Sequence, residues 1–178
     1  MLASYAEAHD ATLLIAGLGR VDVMDRLLGD ESALRLARMA QTPFYAVGTG
    51  RPTPPQRVIV ATDFSATSLR AARLALSLAS PSAEILLAHV CTPAGRVASE
   101  GTLRRHAEHL QDGFSGRVTP VELRGDAANE LLGLAKATDA DAIALGAHGH
   151  GPVIRCSLGP VATRVVRCAP CSIMLAPA

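Results

Sequence analysis

The chain has 178 residues, 49% hydrophobic and 19% charged, with a formal net charge of +1; that length suits one domain, or one domain plus a fragment. Positive mean hydropathy excludes disorder, and 3% aromatics without Trp, at near-neutral charge, speak against any nucleic-acid partner. No apolar run reaches the roughly 18 residues of a membrane span, and the opening MLASYAEAHD carries no Lys or Arg, so neither membrane nor signal peptide is expected and the expected location is cytoplasmic.

In chain order, the pattern predicts a helix over about 2–9, a strand at 12–16, a helix at 31–40 and a strand at 43–47. A stretch rich in Gly and Pro, Gly48-Thr49-Gly50-Arg51-Pro52-Thr53-Pro54-Pro55, then reads as a linker. Beyond it Arg57–Ala61 is a β-branched strand, followed by cap-type Asp63 and Ser65 and a helical stretch closed by Ser80-Pro81. A strand at Ile85–Val90, an amphipathic helix at Thr102–Gln111 and a strand at Val118–Leu123 follow. The series ends with a helix at Asn129–Ala137, a strand at Ala142–Leu145, a helix at Val161–Cys168 and a strand at Ile173–Leu175. Such alternation means βαβ crossovers and a parallel sheet covered on both faces.

Part of the chain repeats. DATLLIAG at 10–17 parallels DADAIALG at 139–146, Leu28-Gly29 parallels Leu158-Gly159, and Arg38-Met39-Ala40 parallels Arg167-Cys168-Ala169 before the runs PFYAV and SIMLA. The expected organisation is a partial repeat of two strands and two helices over 1–48, a linker over 49–55 and a complete domain over 56–178. The complete domain is expected to be α/β, an open five-stranded parallel sheet. Two front strands cannot build a core alone, so they must lean on the second domain or on another chain.

In open parallel sheets, ligands sit beyond the carboxyl ends of strands where the strand order reverses. Two such ends stand out: Thr62-Asp63-Phe64-Ser65, and Gly146-Ala147-His148-Gly149-His150-Gly151 with Gly159 opening the last helix. Glycines admit close backbone approach to a phosphate, and a helix start offers free N–H groups. Asp63 has a second reading, as a cap of its own helix. Lys136, the sole lysine, has no phosphate-loop glycines before it, which excludes a Walker-type loop.

The spacing Gly146-x2-Gly149-x9-Gly159 resembles the nucleotide motif of the universal stress protein family, and VATDFS (60–65), LLAHV (86–90), ADAIALGAHGHG (140–151) and LGPVATRVVRCAPCSIMLA (158–176) agree with it. The resemblance implies that the first and fourth strands of the complete domain adjoin at the switch point and that ATP or a related adenine nucleotide is held there, with Mg as its companion. By position, it places Ala61, Thr62, Asp63 and Val90 on the adenine and ribose side. Leu145, Gly146, His148 and Gly149 form the loop wall, and Gly159 with Pro160 meets the phosphates. It also implies dimers or tandem domains joined by antiparallel pairing of last strands, so Phe44–Val47 should pair with Ile173–Leu175 within or between chains. A homodimer or larger is expected, the Leu13–Ala16 edge adding to this tendency.

One departure matters. The family places Ser or Thr after the last glycine; here stands Pro160, without hydroxyl or N–H. Each lost charge-assisted bond is worth roughly 1.5–3 kcal/mol, and Arg155 in the intervening loop is the candidate to compensate. In the front copy Gly17-Leu18-Gly19 is one residue short and Asp30 follows Gly29, so no nucleotide is expected there.

Other chemistry is less favoured. Cys168-Ala169-Pro170-Cys171 is C-x-x-C, but it follows a helix rather than opening one, the wrong end for a thiolate. The remaining cysteines, Cys91 and Cys156, give no disulfide framework in a chain of this kind. His106 and His109 read as surface histidines and His89 as a packed core histidine; no metal is predicted from ligands. With no G-x-S-x-G and no evident catalytic base, an enzyme is not expected beyond slow ATP hydrolysis. The sequence therefore carries two readings: a stress-response adenine-nucleotide binding module without rapid turnover, or a nucleotide-free interaction protein with a vestigial crevice and an unidentified protein partner.

Overall fold

The computed structural model describes residues 5, 8–17, 42–51, 54–91, 100–149 and 158–177. The predicted helix at 31–40, Arg155, His150 and Gly151 lie outside these residues; of the helix at 2–9, Tyr5, Ala8 and His9 are described, the first two helical and His9 in a turn.

The elements are β1 (Leu14–Gly17), β2 (Phe44–Val47), β3 (Arg57–Ala61), α1 (Ala66–Leu78), β4 (Glu84–Cys91), α2 (Glu100–Gln111), β5 (Arg117–Arg124), α3 (Ala127–Ala137), β6 (Ala142–Gly146), α4 (Pro160–Cys168) and β7 (Ser172–Ala176). They form one sheet in the order β1-β2-β7-β6-β3-β4-β5. The chain runs outward from β3 through β4 to β5, then returns to the other side of β3 for β6 and β7. The switch point therefore lies between β3 and β6, which pair in parallel from Val58↔Ala142 to Val60↔Ala144.

The five strands from β3 to β7 are parallel to their neighbours. With the two front strands added at β7, the described sheet has seven strands. β2 pairs antiparallel with β7 inside the chain, Phe44 opposite Leu175 and Ala46 opposite Ile173, and carries β1 on its outer side in parallel. The pairing that the sequence left open between one chain and two is made within one chain.

Helix limits follow local chemistry. α1 is capped by Ser65, whose side chain accepts from Ser68 N–H at 3.2 Å, and it closes before Ser80-Pro81. α3 starts at Ala127 rather than at Asn129 because Asp126 is its N-cap, accepting from Asn129 N–H at 3.0 Å. α2 starts at Glu100, two residues before the predicted Thr102. α4 starts at Pro160, a residue suited to a first helical position because its missing N–H costs nothing there.

Among the described residues, the sheet has a helix pair on each face. Ile59, Ile143 and Ile173 pack with α3 and α4 (Leu131, Ala135, Val165), while Val58, Val60, Leu87 and Met174 pack with α1 and α2 (Ala72, Leu103, Leu110). The amino end of the switch point is pinned by the buried Asp141, whose Oδ2 accepts from Gln56 N–H at 2.8 Å and Arg57 N–H at 2.9 Å. That leaves the carboxyl end as the opening. Pro120 in β5 is tolerated because β5 is the far edge strand. Among the described residues, no helix is long and apolar enough to cross a membrane.

Candidate functional site

A cavity of about 440 Å³ opens at the carboxyl ends of β3 and β6. All ten residues singled out in the sequence line it: Ala61, Thr62, Asp63 and Val90 on one side, Leu145, Gly146, His148 and Gly149 on the other, with Gly159 and Pro160 closing the end.

The wall after β3 is a tight turn. Thr62 donates its N–H to Ala88 O at 2.9 Å, and its Oγ1 accepts from Phe64 N–H at 3.0 Å. Asp63 Oδ1 accepts from Ser65 N–H at 3.0 Å. Asp63 thus shapes the turn, while the helix cap belongs to Ser65, so the capping reading of Asp63 gives way to Ser65. Phe64 holds a left-handed φ of 64°, a strained conformation for a bulky residue. Its ring packs against His89 at 4.7 Å and His106 at 5.8 Å between centroids. That contact and the bond to Thr62 hold the turn in its shape.

The wall after β6 needs glycine for space. A Cβ on Gly146 would come within 2.8 Å of Thr67 Cγ2 and 3.1 Å of His148 O, and one on Gly149 would overlap Asp63 Oδ2. Within the protein these glycines let the loop approach the side chains of Thr67 and Asp63, which brings the acidic turn and the glycine turn into contact. Ala147 ties the loop down at both ends: its N–H donates to Ala176 O at 2.8 Å, and its carbonyl accepts from Gly159 N–H at 2.8 Å. The N-cap Gly159 itself makes no side-chain bond.

Residues that the motif did not mark complete the lining. Ala88, Ala127, Leu131, Val161 and Ala162 supply apolar surface, and an apolar wall has no sequence signature apart from the helix periodicity that put Leu131 on the sheet-facing side. Ser68 joins the lining; its Oγ donates to Ser65 O at 2.9 Å and lies 3.3 Å from Thr62 Oγ1. His89, expected as a core histidine, is buried at 8% exposure but has a specific task, donating Nδ1–H to the Thr62 carbonyl at 2.8 Å. The Nε2 atoms of His89 and His106 are buried without a hydrogen-bond partner among the described residues. Burial, helped by neighbouring His109, holds the His106 pKa below the usual imidazole range. His106 is therefore half-buried against Phe64 rather than a surface histidine.

The described residues contain no group of three or more His, Cys, Asp or Glu side chains suited to a metal ion. Cys168 ends α4 and is exposed, whereas Cys171 is buried and its thiol is pushed up to about 12, chiefly by burial. The crevice thus offers an apolar slot for a flat ring, one carboxylate at its rim and a glycine loop beside a helix start.

Residues 55–177 match the Universal stress protein family. Among solved structures, a universal stress protein from Archaeoglobus fulgidus DSM 4304 is similar at 21% identity and TM-score 0.69, over 99% of this chain and 63% of its own. A functionally unknown protein from Pseudomonas aeruginosa PAO1 is similar at 16% identity and TM-score 0.70, over 99% of this chain and 66% of its own. This chain spans less than two thirds of the length of either. A universal stress protein solved in complex with cAMP is similar at 26% identity and TM-score 0.57, over 68% of this chain and 96% of its own. No match was found among curated proteins.

Proposed function

The chain belongs to the universal stress protein family, and we propose that it is a stress-response binding module whose crevice holds an adenine nucleotide, ATP or a relative, without rapid turnover. The observation that carries this reading is the meeting of the Asp63 turn and the Gly146–Gly149 loop around one cavity of about 440 Å³ at the switch point. The cAMP complex of a relative at 26% identity supports the same class of ligand. An apolar slot between Val90, Leu131 and Leu145 suits the faces of a purine, and Asp63 suits a ribose hydroxyl as acceptor. Mg would come with the nucleotide, held by its phosphates. The expected cellular place is the cytoplasm.

Equilibrium binding of ATP to the purified chain and to Pro160→Ser tests this. Binding by either form supports the reading; the absence of binding by both at millimolar nucleotide removes it. A second reading is favoured by Pro160, which takes two donors from the phosphate end: an interaction module with a vestigial crevice, for which nucleotide is irrelevant and a protein partner is the ligand.

Self-association belongs to the proposal as well. The last strands are already paired within the chain, so a second copy would add at β1, where Ile15 is 58% exposed. Light scattering that shows only monomer at high concentration would remove this element.

A further inference from the structure

We propose that His106, which does not itself line the cavity, is a positioning residue for it and works only as a neutral imidazole, so that mild acid loosens the Asp63 turn and weakens ligand binding. The inference concerns the same crevice and rests on the adenine-nucleotide reading only in its binding measurement.

Geometry connects α2 to the crevice. The turn after β3 supplies Thr62 and Asp63 to the cavity wall, and Phe64 supports that turn from behind. Phe64 keeps its left-handed φ of 64° with two aids. Its N–H donates to Thr62 Oγ1 at 3.0 Å, and its ring packs beside His89 of β4 and His106 of α2, at 4.7 Å and 5.8 Å between centroids. Asp63 Oδ1 holds the next N–H, that of Ser65, at 3.0 Å. Release of Phe64 from this strained conformation therefore undoes the bonds that fix Thr62 and Asp63 in the wall.

Protonation supplies the release. Nε2 of His106 is buried with no hydrogen-bond partner among the described residues, and so is Nε2 of His89, whose Nδ1 is occupied by the Thr62 carbonyl. A neutral ring tolerates such a site, because one of its nitrogens carries only a lone pair. An imidazolium carries a proton on both and buries an unmatched donor. The groups around the site give that donor little help. On α2 itself, His109 adds a like charge, and Arg105 is turned back to Gly101 O at 3.2 Å. Strand alternation puts His89 and Cys91 of β4 on this face, with Glu122 and Arg124 of β5 opposite them in the register. Of these strand groups Glu122 is the one carboxylate, and Arg124 engages it at 3.4 Å. Burial, with the charge of His109 added, holds the His106 pKa below the usual imidazole range. The native site thus binds the proton less tightly than an exposed imidazole does, and acid favours states in which His106 has left Phe64. The effect is absent above the usual imidazole range and sets in as the pH falls below it.

The test is amide hydrogen exchange of the full chain at about pH 7.5 and about pH 5.5, corrected for the intrinsic pH dependence of exchange. On acidification the Phe64 and Ser65 amides should lose roughly tenfold in protection, while the amides of β6 keep theirs. His106→Phe keeps a ring against Phe64 and takes up no proton, so its two turn amides should hold their protection at both pH values. Cyclic AMP is a phosphodiester with no ionisation in this range; its affinity should fall roughly tenfold in the wild type and stay level in His106→Phe. Wild-type turn amides that keep their protection in acid overturn the inference whether or not nucleotide binds, and so does an equal loss in His106→Phe. The adenine-nucleotide reading stands or falls separately, on whether nucleotide binds at the higher pH.

Discussion

β1 and β6 carry closely related sequences, in DATLLIAG and DADAIALG, and the fold treats them differently. β6 lies between β3 and β7 with helices on both faces, and Ala142–Leu145 are buried. β1 has β2 on one side as its described neighbour, alternates between half-buried and exposed, and leaves Ile15 at 58% exposure. The pattern of a strand states what it can bury; its neighbours decide what it does bury. β2 shows this from the other direction, because pairing with β7 puts Phe44 at 1% exposure and Tyr45 at 2%.

The sharpest way to break this comparison is to truncate one side chain in each strand. Phe44→Ala empties space against Leu175 and the α3/α4 face, and should cost about 3–5 kcal/mol. Ile15→Ala removes an exposed side chain and should cost less than about 0.5 kcal/mol. Urea midpoints at constant m-value measure both. Similar losses for the two would mean that β1 is covered after all, and a negligible loss at Phe44 would mean that the β2–β7 seam contributes little.

The same contrast explains how far the sequence could be read. The strands and helices of 57–176 were legible because β-branched runs, caps and Gly/Pro breaks agree locally, and errors at their ends trace to single groups such as the Asp126 cap. The crevice was legible from the glycine spacing after β6 and the acidic turn after β3. Pairing of β2 with β7 within rather than between chains was not, since the same register serves either case. The contacts of Gly146 with Thr67 and of Gly149 with Asp63 were not legible either, because a close neighbour from α1 or from the β3 turn cannot be seen in a one-dimensional string. Ser68 and His89 were missed for a related reason: each acts through a hydrogen bond to the turn, not through a motif.

His89 offers the next largest test, at the turn after β3. It is a positioning residue: its Nδ1–H satisfies the Thr62 carbonyl at 2.8 Å, and its ring supports the strained Phe64. His89→Leu leaves that buried carbonyl without its donor and should cost about 1–3 kcal/mol. His89→Asn places an amide N–H near the Nδ1 position and should recover much of this. Amide hydrogen exchange at Phe64 and Ser65, whose N–H groups are held by Thr62 Oγ1 and Asp63 Oδ1, should quicken in the Leu variant and stay slow in the Asn variant. Equal exchange in both would show that His89 only fills space.

The smallest effect is chemical and reads the seam directly. Cys168 is exposed at the end of α4, while Cys171 is buried where β7 begins, beside the Gly48 segment that follows β2. With its thiol pushed up to about 12 by burial, Cys171 stays protonated through the neutral range and only a folded-state opening exposes it as a nucleophile. Iodoacetamide at pH 8 should therefore label Cys168 readily and leave Cys171 unmodified over the same interval, as resolved by peptide mass spectrometry. This ordering also opposes a thiol-exchange role for the C-x-x-C pair, which requires a reactive thiolate at one end. Because labelling of Cys171 requires β7 to part from its neighbours, its rate in Phe44→Ala should rise toward that of Cys168. If the rate stays at the wild-type value while the variant is destabilised, the β2 pairing and the burial of Cys171 are independent, and the front strands are an attachment to the sheet rather than part of its cooperative core.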